Sequence, residues 1–107
     1  MAKPYELTEH QIQAQILDWL RLKRRFFWRN NTGASKASYN SKVRFYRFGS
    51  PGSPDIFVIR EGVIYGVEVK AYKGQQSQTQ VYWQTEFEKA GGKYILARSL
   101  ADVEAVL

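Results

Sequence analysis

The sequence has no cysteine and only one histidine among its 107 residues. A chain without cysteine forms no disulfide, no cysteine-ligated zinc or iron–sulfur site and no catalytic thiol. A single histidine also excludes histidine-rich zinc sites and argues against a Ser-His-Asp triad. No apolar run approaches the roughly 18 residues needed to span a bilayer, and residues 1–20 lack the pattern of a signal peptide. These absences predict a small, soluble, non-secreted protein of the cytoplasm with no membrane partner.

The residues that are present suffice for one folded domain. Hydrophobic residues make up 44% and aromatic residues 15% of the chain, which is too much for a disordered polybasic tail. A length of 107 residues also lies within the usual size of a single domain, about 50–250 residues. We therefore expect one domain that covers residues 1–107.

Positive charge is concentrated in one stretch, residues 19–54, which we call the acid-free segment. It contains nine basic and no acidic residues, whereas the rest of the chain has seven basic and ten acidic residues. Aromatic residues are interleaved with these bases. Phosphate contacts supply most non-specific affinity for nucleic acid, and aromatic rings stack on bases, so this combination predicts a nucleic-acid surface. The alternative is a solvated face that only increases solubility.

Two capping-box pairs, Thr8 with Gln11 and Ser77 with Gln80, predict the starts of two helices. Ser99 is expected to cap a short third helix. The predicted helices cover residues 9 to 23–25, 78–90 and 100–107.

The strands are predicted from runs of β-branched and aromatic residues. They cover residues 26–30, 43–48, 56–60, 63–70 and 93–98. Residues 31–42 are rich in Ser, Asn and Gly and are predicted to form a loop, whereas Glu61-Gly62 is short enough for a tight hairpin. We summarise the prediction as an α/β domain of order αβββαβα, with a mixed central sheet flanked by helices.

Three charged residues stand on or beside two adjacent predicted strands. Asp55 precedes the first, and Glu68 and Lys70 lie two apart in the second, on the face opposite its apolar residues. The hairpin brings Asp55 alongside Glu68, and Gly66 is expected to leave room there. Two carboxylates could bind Mg²⁺ while Lys70 polarises a phosphate. The alternative is a simple ion pair between Lys70 and one carboxylate.

Polar residues also interrupt the apolar faces of the two long helices. Glu9 and Gln13 share or border the apolar stripe of the first helix, and Gln80 begins the stripe of the second. Taken singly, each is explained by helix capping or by the helix dipole. Together with the charged residues of the strands, they predict one converging polar cluster.

These motifs resemble those of a known nuclease superfamily. The run Gly52-Ser53-Pro54-Asp55, followed after 12 residues by Glu68-Val69-Lys70, resembles the PD-(D/E)xK signature. Residues 8–98 resemble its VRR-NUC branch, the virus-type replication-repair nuclease domain. That resemblance is carried by Glu9 and Gln13 in the first helix, Trp28 and the run Asn31-Thr32-Gly33, the glycine-rich turn before Asp55, and Gln80 in the helix after the lysine.

The resemblance implies a restriction-endonuclease-like core and phosphodiester hydrolysis that depends on Mg²⁺ or Mn²⁺. By position, the implied catalytic residues are Asp55, Glu68, Lys70 and Gln80. The implied metal ligands are Glu9, Asp55, Glu68 and the carbonyl of Val69, with Glu6 as the alternative to Glu9.

It also implies a stand-alone protein of phage or prophage type that acts in the cytoplasm of a bacterial host. Similar proteins are homodimers that cut branched DNA such as Holliday junctions, so we expect a homodimer with DNA as its partner. The predicted DNA contacts are Arg25, Arg29, Lys36, Lys42, Arg44, Arg47 and Lys73. Two alternatives remain: a nuclease that acts on flaps, nicks or single strands, and a non-catalytic nucleic-acid-binding module.

Overall fold

The computed structural model describes residues 6–30, 33–39 and 42–107, with the side chains of residues 33–39 and 42–48 outside that description. Three helices and six strands occupy this part of the chain. In chain order they are α1 (Glu9–Leu22), β1 (Phe26–Arg29), β2 (Gly33–Tyr39), β3 (Lys42–Phe48), β4 (Ile56–Arg60), β5 (Val63–Val69), α2 (Gln78–Lys89), β6 (Lys93–Ala97) and α3 (Leu100–Glu104).

The strands form two sheets rather than one. Four of them build a mixed sheet in the order β1-β4-β5-β6, in which β4 is antiparallel to β1 and β5, and β5 is parallel to β6. The other two, β2 and β3, form a separate antiparallel pair that joins Gly33 to Phe48 and Tyr39 to Lys42. The prediction of an α/β domain with a mixed central sheet is confirmed.

The predicted order αβββαβα is wrong. It has three strands before α2, where four strand ranges were predicted and the structure has five. The predicted loop at 31–42 is wrong as well, since residues 33–39 form β2. The small polar residues of β2 have weak strand propensity of their own. They pair with the Val-, Phe- and Tyr-rich β3, and such pairing outweighs local composition.

One face of the mixed sheet carries the hydrophobic core. Alternate residues of β4, β5 and β6 point to this face, where α1 and α3 cover them. The buried apolar side chains are Ile12, Ile16, Leu17 and Leu20 of α1, Ile56, Val58, Val67, Val69, Ile95 and Ala97 of the sheet, and Val103 and Leu107 at the end of the chain.

The opposite face of the sheet is covered by α2. Phe57 of β4 lies between the rings of Trp28 and Phe87, with ring centroids 5.3 and 6.1 Å away, and Trp83 stacks on Phe87 at 4.7 Å. The predicted stripe of α2, which begins at Gln80, is therefore the side of the helix that meets the sheet. The same face carries the polar residues of the candidate site.

Local signals set most of the element boundaries. Both predicted capping boxes are present, and α1 begins at Glu9 as predicted. The hairpin between β4 and β5 turns over Glu61 and Gly62 at positive φ, which matches the predicted tight turn. The predicted short helix after Ser99 is confirmed, with Ser99 at its N-cap position, although the Ser99 side chain makes no capping hydrogen bond. None of the helices described is long and apolar enough to cross a membrane.

The space above Gly66 is filled, contrary to the expectation that it would leave room beside Glu68. A Cβ atom at Gly66 would lie 2.8 Å from Cγ of Pro54 and 3.3 Å from Cε2 of Phe87. The glycine therefore lets the turn that precedes Asp55, and helix α2, approach the sheet closely. It contributes to the site by packing rather than by opening a cavity.

We expect Gly66→Ala to destabilise the fold by about 1–3 kcal/mol, because the added methyl group overpacks the contact with Pro54. The free energy of unfolding from chemical denaturation measures this loss. Gly74→Ala is the matched control, since its Cβ would meet its nearest neighbours at 3.4 Å. An equal loss in both variants would contradict the packing explanation.

Candidate functional site

The hairpin of β4 and β5 brings two carboxylates together on the α2 side of the sheet. Asp55 stands directly before β4, and its Oδ2 accepts a hydrogen bond of 2.8 Å from the backbone N–H of Val69. Glu68, the neighbour of Val69 in β5, is only 4% exposed. The two carboxyl groups stand close enough for each to affect the pKa of the other. The predicted proximity of Asp55 and Glu68 is therefore confirmed.

Two further side chains meet at a single oxygen of Glu68. Lys70 Nζ lies 3.7 Å from Glu68 Oε2, and both side chains are largely buried. Gln80 Nε2 donates a hydrogen bond of 3.2 Å to the same oxygen. The four residues predicted as catalytic thus form one constellation under the first turn of α2.

Burial dominates the electrostatics of the carboxylate pair. Removal from water and, next in size, the nearby charge of Asp55 together raise the pKa of Glu68 to about 8, while Lys70 acts in the opposite direction. Removal from water also raises the pKa of Asp55, although the hydrogen bond from Val69 acts in the other direction. Two adjacent carboxyl groups with raised pKa values retain a proton more readily than exposed acids. They are also poised to exchange that proton for a cation.

The amide of Gln80 has its orientation set by the helix cap. Its Oε1 accepts a hydrogen bond of 2.9 Å from the backbone N–H of Ser77, and the Ser77 hydroxyl accepts one of 3.1 Å from the N–H of Gln80. The amide oxygen is therefore committed to the cap, so the amide nitrogen faces Glu68. One side chain both caps α2 and binds the buried carboxylate.

Glu9 lies near the carboxylate pair without joining it. Its charge contributes to the raised pKa values of Asp55 and Glu68, and its Oε2 lies beside Gly74. Within the residues described, no three acidic or histidine side chains converge closely enough to hold a metal ion. The predicted ligation by Glu9 and by the Val69 carbonyl remains a prediction.

The turn before Asp55 is held by an asparagine that the sequence patterns did not single out. Asn30 Nδ2 donates hydrogen bonds of 2.7 Å to the Ser53 hydroxyl and 2.9 Å to the carbonyl of Pro54, and its backbone N–H donates to the carbonyl of Asp55 at 2.8 Å. Ser53 in turn donates to the carbonyl of Ser50. An asparagine directly after a strand is the only signal in the sequence, and such residues are common in turns.

The predicted DNA contacts have different surroundings. Arg29 at the end of β1 and Lys73 in the loop after Lys70 are exposed. Arg25 instead donates from Nε and Nη2 to the carbonyl of Leu107, at 3.0 and 2.6 Å, and so stabilises the fold. The side chains of Lys36, Lys42, Arg44 and Arg47 belong to β2 and β3 and lie outside the described residues.

The donor set fits a hard divalent cation. Two adjacent carboxylates supply oxygen ligands, and a cation would offset their loss of hydration, which is the largest cause of their raised pKa values. Mg²⁺ commonly binds through one or two carboxylates and keeps several waters or substrate oxygens as its other ligands. Asp55 and Glu68 meet this minimum.

No protein-family model matches the chain, and no curated protein matches it.

We expect the free energy of unfolding to decrease as pH rises, because Glu68 loses its proton more readily in the unfolded chain than in the folded one. Its pKa is about 8 in the folded chain against 4.5 when unperturbed, so its stabilising contribution is complete below about pH 4.5 and is lost as pH rises through 8. Glu68→Gln should therefore gain stability relative to the wild type between pH 5 and pH 8, measured by denaturation in a chelator. Glu86→Gln, which changes an exposed carboxylate, is the control. A difference between Glu68→Gln and wild type that does not change with pH would contradict the prediction.

We expect Gln80→Glu to keep the capping box but to place a carboxylate against Glu68. Loss of the buried hydrogen bond predicts a decrease of about 1–3 kcal/mol in the free energy of unfolding at pH 8, and a smaller decrease at pH 5. Gln11→Glu is the matched control, because Gln11 completes the same capping box with Thr8 in α1 at an exposed position. Equal effects at the two positions would show that Gln80 acts only as a cap.

Proposed function

We propose that the protein is a metal-dependent endodeoxyribonuclease that hydrolyses phosphodiester bonds with Mg²⁺ or Mn²⁺. The observation that carries the proposal is the pairing of half-buried Asp55 with buried Glu68, with Lys70 and Gln80 both at one oxygen of Glu68. A purely structural ion pair between Glu68 and Lys70 leaves the adjacent Asp55 unexplained. Carboxylates with raised pKa values that converge with a lysine are typical of functional sites.

Each residue has a role that follows from its contacts. Asp55 and Glu68 would hold the metal, which would supply charge stabilisation to the phosphoryl oxygens and a more acidic bound water. Lys70 would orient the attacking water or neutralise charge that develops on the phosphate in the transition state. Gln80 keeps the carboxylate of Glu68 in place through its amide nitrogen.

The proposal includes how the substrate binds. The acid-free segment carries nine basic residues and would contact the phosphate backbone, with exposed Arg29 on β1 as one member. Lys73 follows the catalytic lysine by three residues and is exposed, so it is a candidate contact to a neighbouring phosphate. DNA in the cytoplasm of a bacterial host would be the substrate.

Three finer parts of the proposal rest on the resemblance to VRR-NUC domains. They are a restriction-endonuclease-like core, a homodimer, and a preference for branched DNA such as Holliday junctions. The mixed sheet between α1 and α2 is compatible with the first of these. A dimer with two sites would cut a symmetric substrate at paired positions.

Cleavage of matched linear, flap and four-way-junction DNAs tests the proposal. We expect cutting in Mg²⁺ or Mn²⁺ and none in a chelator, with a loss of about 100-fold or more for Lys70→Ala. Lys89→Ala, which removes an exposed lysine from α2, is the control and should cut like the wild type.

The outcomes separate the alternatives. Absence of metal-dependent cutting on every substrate would overturn the nuclease proposal, and retained DNA binding would then favour a non-catalytic module. Equal cutting of all substrates would leave the nuclease and remove the preference for branched DNA. Preferential cutting of flaps or single strands would identify a different structure-selective nuclease.

A further inference from the structure

One loop connects the two residues that meet at Glu68. Lys70 directly follows β5, and Ser77 is the N-cap of α2, so residues 70–77 form what we call the β5–α2 loop. Lys70 begins this loop, and Gln80 lies three residues beyond its end. Because both side chains reach Oε2 of Glu68, the conformation of the loop decides whether they meet there.

The first half of the loop is held by Arg98. The N–H of Lys70 donates to the carbonyl of Ala97 at 3.0 Å, which places Arg98 next to the start of the loop. Nη1 of Arg98 then donates to the carbonyl oxygens of Ala71 and Gly74, at 2.8 Å each, and of Tyr72 at 3.3 Å. No ion pair in the described part of the chain involves Arg98. Its charge is therefore directed at the carbonyl dipoles of the loop.

The second half of the loop is held by Gln76. Its Nε2 donates to Oε1 of Gln84 on α2 at 3.0 Å and to the hydroxyl of Tyr94 on β6 at 3.2 Å. One amide thus ties the helix and the outer strand together beside the site. Tyr94 is half-buried, and burial and the charge of Glu68 raise the pKa of its hydroxyl to about 12, so it stays neutral near pH 7.

We propose that Arg98 and Tyr94 are positioning residues, which fix through the β5–α2 loop the geometry in which Lys70 and Gln80 meet Glu68. The inference rests on the proposed function for its catalytic consequence, but the geometric effect does not need catalysis. Neither residue contacts the carboxylates directly by a hydrogen bond or an ion pair. Arg98 binds the carbonyl oxygens of the first half of the loop, and Tyr94 accepts a hydrogen bond from Gln76 in the second half.

Kinetics on a cleaved DNA test the catalytic consequence. We expect Arg98→Ala and Tyr94→Phe to lower kcat by about 10- to 100-fold, because small displacements of catalytic groups have effects of this size, while KM stays nearly unchanged. Arg98→Lys should recover most of the rate, since one nitrogen makes all three contacts and an ammonium group has three donors. The controls are Lys89→Ala and Tyr82→Phe, two exposed positions on α2.

A second measurement does not depend on cleavage. The side-chain amide signal of Gln80 in an NMR spectrum reports its hydrogen bond to Glu68. In Arg98→Ala and Tyr94→Phe this signal should shift towards that of an exposed glutamine, and Arg98→Lys should restore it. If the wild type cuts no DNA, the proposed function fails, and the Gln80 signal still tests the positioning role.

Two results would overturn the inference. An unchanged Gln80 signal in both Arg98→Ala and Tyr94→Phe would show that the loop does not need these anchors. A rise in KM with unchanged kcat, not rescued by Arg98→Lys, would instead assign Arg98 to direct contact with a phosphate. Because Tyr94→Phe and Arg98→Lys preserve the shape of the side chain or its charge, they keep the test valid if Arg98→Ala fails to fold.

Discussion

The structure of the site depends on one unfavourable interaction, the placement of the half-buried carboxyl group of Asp55 beside the buried carboxyl group of Glu68. Like charges that are shielded from water repel strongly, and each carboxyl group also loses its hydration. The chain offsets part of this cost with a backbone N–H for Asp55 and with a lysine and an amide for Glu68. The residual cost appears as raised pKa values. Such a cost is expected where function, rather than stability, has determined the residues.

The two faces of the mixed sheet carry different features: one carries the apolar core and the other carries the candidate site. The α1 and α3 side is a continuous apolar core, and it needs no contribution from the site. The α2 side mixes the aromatic cluster around Phe57 with the polar layer around Glu68. Alternation along β5 links both faces, because Val67 and Val69 enter the core while Glu68 between them enters the site. The packing of Val67 and Val69 in the core therefore fixes the position of the Glu68 carboxylate on the other face of the sheet.

Local rules predicted much of this arrangement. Capping boxes located the starts of α1 and α2, the Glu61-Gly62 turn set the β4–β5 register, and alternation placed Glu68 and Lys70 on one face. These features depend on residues within a few positions of each other. Strand β2 was missed because its pairing partner, and not its own composition, determines its conformation.

The supporting residues could not be predicted, because their partners are distant in sequence. Asn30 binds residues 53 and 54, and Arg98 binds residues 71–74. Nothing in the neighbourhood of either residue specifies these contacts. The expectation about Gly66 was wrong for a related reason, since the atoms that fill its space come from Pro54 and Phe87.

The hydrogen bonds of Asn30 also separate the part of the chain that forms the mixed sheet from the segment that forms β2 and β3. The chain leaves the mixed sheet at Asn30 and returns to it through Ser50 to Pro54. Asn30 joins these two points by its hydrogen bonds to Ser53 and Pro54, and Ser53 in turn binds Ser50. The described contacts of Asp55 and Glu68 come from Val69, Lys70 and Gln80, which all follow this segment in the chain. A change in this segment would leave these described contacts of the carboxylate pair in place. The described site and the strands β2 and β3 thus depend on separate parts of the sequence, which can change independently of each other.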